Sequence, residues 1–85
     1  MFYVYVIESL KNNKVYTGHT ANLDKRLDQH NAGKTKSTKA FIPYKILFFE
    51  LCTNRKEAIA REKYLKSGIG REFIKEYIRT RSSIG

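Results

Sequence analysis

The stretch FYVYVIESLKNNKVYTGHT, Phe2 to Thr20, decides the fold. Phe2 to Ile7 are all aromatic or β-branched, and strand alternation puts Tyr3, Tyr5 and Ile7 on one face and Phe2, Val4 and Val6 on the other. A strand that is apolar on both faces belongs in the middle of a sheet with a layer packed on each side. KNNK then supplies Asn12 and Asn13, which tolerate left-handed backbone, so Val15 to His19 is predicted to return as the second arm of a hairpin with Gly18 near its end.

Downstream, Thr20 or Asn22 can accept from the first free amides of a helix running to about His30, with Leu23 and Leu27 on its buried stripe. NAGKTKSTKA ends that helix and makes a polar loop carrying Lys34, Lys36 and Lys39, followed by the lone Pro43 and a third strand at about Lys45 to Leu51. Helix formers dominate Arg55 to about Ser67, with Gly68 expected as the stop. A last helix turns Phe73, Ile74, Tyr77 and Ile78 inward and Arg71, Lys75 and Arg79 outward. The order β-β-α-β-α-α predicts an α+β fold, a three-stranded, mainly antiparallel sheet flanked by helices. Residues 1–80 are expected as one domain and 81–85 as a short C-terminal tail that frays.

Composition narrows the function classes. At 85 residues the chain is too short to enclose a large internal ligand cavity, and 41% apolar with 29% charged residues is the balance of a folded domain. The net charge of +9, from 17 Lys and Arg against 8 Asp and Glu, calls for an acidic partner, with nucleic acid ahead of an anionic membrane surface. A single cysteine, Cys52, excludes an intramolecular disulfide and suggests a reducing, cytoplasmic setting. The longest apolar runs are strand-sized, which predicts neither a signal peptide nor a membrane span.

Several side chains sit oddly for a pure packing role. On the first helix His30 falls within about 20° of Leu23 and Arg26 about 60° to one side, so both adjoin the buried stripe and, four apart, neighbour each other. A snorkelling Arg and a core His with a backbone partner would look the same. Glu62 lands among Ala58, Leu65 and Ile59 on the face its helix turns to the sheet, where a carboxylate needs a metal ion, an arginine or a wet cleft to offset its burial. Tyr5 and Tyr16 become neighbours across the hairpin, either as aromatic packing or as phenols held together. Gly18 is either a strand-end glycine or a place where a phosphate backbone comes close. Lys34, Lys36 and Lys39, with His19, are candidate backbone contacts, unless the loop is simply solvated.

Together YVY at Tyr3 to Tyr5, YTG at Tyr16 to Gly18, Arg26, His30 and the helical Glu62 resemble the GIY-YIG nuclease family over nearly the whole chain. AREKYLKSGIGREFIK is similar to its small single-domain bacterial members. Tyr3 replaces the first glycine of the family signature and Thr17 its second isoleucine, and neither change removes a reactive group. The resemblance implies a metal-dependent endonuclease with Tyr5, Tyr16, Arg26, His30 and Glu62 as catalytic positions. Glu62 would hold one Mg²⁺ or Mn²⁺, and the substrate would be nucleic acid, DNA ahead of RNA, with low sequence specificity or targeting by a partner protein. The competing readings are a catalytically silent nucleic-acid binder, an interaction or membrane-surface module built on the basic C-terminal helices, and a zinc site from His19, His30 and Cys52, which lacks the local ligand spacing of known sites.

Overall fold

The hairpin turns where the asparagines stand, Asn13 taking φ 63°. In the computed structural model, which describes residues 1–84 in backbone and 1–80 in side chains, β1 (Phe2–Ser9) and β2 (Val15–Thr20) pair antiparallel, with Tyr5 opposite Gly18 and Ile7 opposite Tyr16. β3 (Tyr44–Cys52) lies antiparallel on the other side of β1 and places Phe49 opposite Tyr5, so the sheet order is β2-β1-β3. The two-faced apolar strand is therefore central, and the sheet is wholly antiparallel.

Three helices complete the expected order β-β-α-β-α-α. Asn22 caps α1 (Leu23–Asn31), its side-chain oxygen accepting from the Lys25 amide at 3.1 Å, while the Thr20 hydroxyl accepts from the Asn22 amide. Asn54 caps α2 (Arg55–Lys66) in the same way through the Glu57 amide, and α3 spans Gly68–Ile84. Among the described residues no helix is long and apolar enough to cross a membrane.

β1 feeds a core on each side. Val4 and Val6 pack with Leu47, Ala58, Leu65 and Ile74 against α2 and α3. Tyr5 and Ile7 pack with Leu23 and Tyr44 against α1. The apolar stripe of the last helix is thus used partly on the sheet: Ile74 is buried and Tyr77 donates to the Leu47 carbonyl, while Phe73 stays exposed. Asn31, the last residue of α1, makes both bonds that the Tyr44 backbone offers, donating to its carbonyl at 3.1 Å and accepting from its amide at 2.7 Å.

Two local expectations change. Gly68 does not stop α2; Ser67 does, in an extended conformation, and its carbonyl and hydroxyl then accept from the Arg71 and Gly70 amides to start α3 at once. The glycine that matters is Gly70, where a Cβ would lie 2.1 Å from the Tyr64 carbonyl oxygen, so the close approach of the two helices needs a hydrogen there. The backbone also stays helical through Ile84 instead of fraying after Thr80, since no Gly or Pro interrupts it and Arg79 pairs with Glu76 one turn back.

Candidate active site

The α1 layer gathers four of the singled-out residues. The Tyr5 hydroxyl lies 2.9 Å from His30 Nε2, and both residues are buried. The Tyr16 ring packs edge-on to His30 at 5.0 Å between centroids, and the Tyr5 and Tyr16 rings are 6.4 Å apart. Arg26 contacts the Tyr5 and Tyr16 hydroxyls and donates to Gln29 Oε1 at 3.1 Å. Strand alternation and helical periodicity bring this about: Tyr5 and Tyr16 face α1, and Arg26 and His30 sit one turn apart on the helix that covers them.

Gly18 makes the assembly possible. A Cβ there would stand 2.7 Å from the Tyr5 hydroxyl oxygen and 3.1 Å from a Tyr16 ring carbon. Its missing side chain is thus room taken by the two phenols.

Charges and protons follow from the burial. Desolvation, with the Arg26 charge added, lowers His30 to about 4, so its ring is neutral near pH 7. Burial pushes the Tyr5 hydroxyl above its ordinary value, and the Arg26 guanidinium pulls it only partway back. Tyr5 is therefore a protonated phenol in the free protein, and the neighbouring Arg26 guanidinium is held all the more firmly charged by the two phenols beside it.

Glu62 belongs to the other layer. In β2, Tyr16 and Gly18 face α1 while Thr17 and His19 face α2, and His19 Nδ1 lies 2.6 Å from Glu62 Oε1. Lys66, one turn on, donates to Oε2 at 2.6 Å. Burial alone would raise the Glu62 carboxyl, but Lys66 and His19 outweigh it and hold the group below the usual carboxylate range. The offset expected for this carboxylate is thus a lysine and a histidine; the arginine beside it, Arg61, is bound in bidentate fashion to Glu50. The Glu62 charge adds a last, small contribution to raising the Tyr5 hydroxyl, behind burial and Tyr16, and β2, an edge strand, stands between the two groups.

The loop lysines stand apart from this cluster. Lys34, Lys36 and Lys39 are exposed, and among the described residues none is paired with a carboxylate. Lys36 and Lys39 flank Thr38, which is buried with its hydroxyl 2.8 Å from His30 Nδ1, so the loop is pinned to the site from below. His19 is turned to Glu62 and His30 lies between Tyr5 and Thr38, so the two histidines do not meet as a zinc pair. No group of three His, Cys, Asp or Glu residues among the described ones is arranged to hold a metal. The sequence reading missed Thr38 and Lys66. Lys66 was available as the i+4 neighbour of Glu62; nothing distinguished Thr38 from the hydroxyls of Thr35 and Ser37.

The profile of the GIY-YIG catalytic domain matches residues 1–76. The chain is 43% identical over 67 residues to a UPF0213 protein of Clostridium perfringens, covering 78% of this chain and 71% of that one. It is 38% identical over 77 residues to a UPF0213 protein of Bacillus licheniformis, covering 89% and 77%. The solution NMR structure of a UPF0213 protein from Bacillus halodurans superposes with a TM-score of 0.54 at 30% identity, covering 89% of this chain and 84% of that one.

Proposed function

The chain belongs to the GIY-YIG family of catalytic domains, whose members are generally endonucleases, and from that premise we propose that it hydrolyses phosphodiester bonds of nucleic acid, DNA ahead of RNA. The carrying observation is an ionised, largely buried carboxylate, Glu62, within electrostatic reach of a phenol and guanidinium cluster in a chain of net charge +9. A pure binder of polyanions gains nothing from a carboxylate there.

Family nucleases typically use a divalent metal ion, and Glu62 fits one. It is a hard oxygen donor held ionised, and Mg²⁺ or Mn²⁺ needs only one or two protein carboxylates because it keeps waters and takes phosphate oxygens. When bound, such an ion supplies stabilisation of the charge on the departing oxygen. Glu62 would hold it after exchanging its contact with Lys66.

The remaining steps belong to this chain's own side chains. Arg26 grips a non-bridging phosphoryl oxygen with its planar fork. Tyr16, half-buried where Tyr5 is only 1% exposed, is the phenol that reaches the attacking water. Tyr5 and neutral His30 hold Arg26 in place from beneath. Lys34, Lys36 and Lys39, with His19, line the path of the strand as sequence-independent backbone contacts, while Gly18, buried against the two phenols, does not. Specificity is low, and targeting falls to substrate shape or a partner protein.

One observation favours the silent binder: both Glu62 oxygens are already taken, by His19 and Lys66, as in a purely structural ion cluster. A panel of single-stranded, duplex and branched DNA and RNA with Mg²⁺ or Mn²⁺ separates the two. Metal-dependent cutting by the wild type that is lost in Glu62→Ala supports the nuclease and names its substrate. Tight binding without cutting in both proteins establishes the binder.

A further inference from the structure

Behind His30 lies a hydrogen-bond chain that the reaction scheme does not use. The segment after α1 carries hydroxyls at Thr35, Ser37 and Thr38; those of Thr35 and Thr38 are both buried, and Thr38 is the one bonded to His30. Its Oγ1 is 2.8 Å from His30 Nδ1 and 3.4 Å from the Thr35 carbonyl oxygen, while His30 Nε2 is 2.9 Å from the Tyr5 hydroxyl.

A neutral imidazole has one N–H and one lone pair, so this chain runs in one of two directions. In the first, Tyr5 donates to Nε2, Nδ1–H donates to Thr38, and Thr38 donates to the Thr35 carbonyl. Every hydrogen then has an acceptor. In the second, Thr38 donates to Nδ1 and Nε2–H donates to the Tyr5 oxygen. The phenolic hydrogen of buried Tyr5 then loses its acceptor, since His30 is the hydroxyl's one hydrogen-bond partner among the described residues and Arg26 beside it accepts nothing. An interior hydroxyl left without an acceptor is the costlier state.

We propose that Thr38 is a positioning residue that fixes His30 in its Nδ1–H tautomer, so that Nε2 takes the Tyr5 hydroxyl hydrogen and the phenol oxygen keeps its lone pairs for Arg26. The low proton affinity of buried His30 agrees with a ring held neutral in one tautomer. The consequence for catalysis rests on the nuclease reading, because it is Arg26 that such a lock keeps aimed at a phosphate. The tautomer itself does not rest on that reading.

Two-bond ¹⁵N–¹H correlation of the histidine rings in the full chain at neutral pH reads the tautomer without substrate, with His19 as the second ring for reference. The wild type should show a protonated Nδ1 and a bare Nε2 at His30. Thr38→Val, which keeps the branched shape and removes the hydroxyl, should lose that signature, and Thr38→Ser should restore it. Cleavage should fall about tenfold in the Val variant and stay within about twofold of wild type in the Ser variant. A wild-type His30 protonated at Nε2 overturns the proposal, as does an unchanged spectrum in folded Thr38→Val. If the Val variant does not fold, the wild-type and Ser spectra still decide. An inactive protein with the expected tautomer would sink the nuclease reading alone.

Discussion

The two sides of β1 bury one strand with different materials. Toward α2 and α3, Val4 and Val6 meet Leu47, Ala58, Leu65 and Ile74, almost all hydrocarbon. Toward α1, Tyr5 and Ile7 meet an interior threaded with hydroxyls, an imidazole and the edge of a guanidinium. The first side is built for stability, since each fully buried aliphatic side chain contributes about 1.5–3 kcal/mol. The second gives up some of that to hold polar groups in fixed relation, worthwhile only where their orientation is used. Glu62 is the polar exception of the hydrocarbon side, mounted on α2 and paired there with His19 of β2 and with Lys66.

The comparison breaks first at Glu62. Substitution by Gln should lower cleavage by about 10³-fold or more, roughly 4 kcal/mol of transition-state stabilisation, with little change in thermal midpoint. A large stability loss with activity retained would return Glu62 to a structural ion cluster. Next, Leu65→Ala should cost about 2–5 kcal/mol in urea unfolding and leave the rate of the folded fraction unchanged. A matching fall in that rate would mean the hydrocarbon side is not separable from the chemistry.

The pH dependence of stability sharpens the same contrast. His30 is lowered from 6.5 to about 4 in the folded protein, so the unfolded chain binds its proton more readily. Its contribution is therefore fully present above about pH 6.5 and is lost as pH falls toward 4, about 3 kcal/mol in all. Urea midpoints at pH 7 and pH 4.5 should show this loss, and His30→Gln should remove this part of it. Identical pH profiles for the two proteins would contradict the burial of a neutral ring.

Gly18→Ala should act on the α1 side alone, forcing the two phenols apart and reducing cleavage about tenfold while costing about 1 kcal/mol of stability. Wild-type cleavage in that variant would show the phenols free to give way. Smallest in effect, neutralising Lys34, Lys36 and Lys39 should weaken binding to every sequence alike and flatten its dependence on salt concentration. An unchanged salt slope would leave them as solvated residues.

Much of this was legible beforehand, for reasons that differ by element. Phe2 to Ile7 declared a central strand because both faces are apolar, and the helices declared themselves by period and by the asparagine caps. Tyr5, Tyr16, Arg26 and His30 were legible as a set because strand and helix periods place them locally and one hairpin brings the strands together. Thr38 was not, because which of three nearby hydroxyls meets His30 depends on the path of an irregular segment over the end of α1. His19 against Glu62 was equally hidden, since it depends on how α2 lies across β2 and not on any local spacing. Gly70 over Gly68 is the same lesson in the backbone: the need for a glycine came from a neighbouring helix.

The amide side chain of Asn31 stands in for a length of strand, answering both the amide and the carbonyl of Tyr44. The helix that carries Arg26 and His30 is thereby latched to the sheet by the same kind of bonds that join strand to strand. Its detachment would leave two buried main-chain groups at Tyr44 without partners, so the helix and the start of β3 should open together as one cooperative unit. Hydrogen exchange at the Tyr44 amide therefore clocks how often the arginine and the histidine leave their posts.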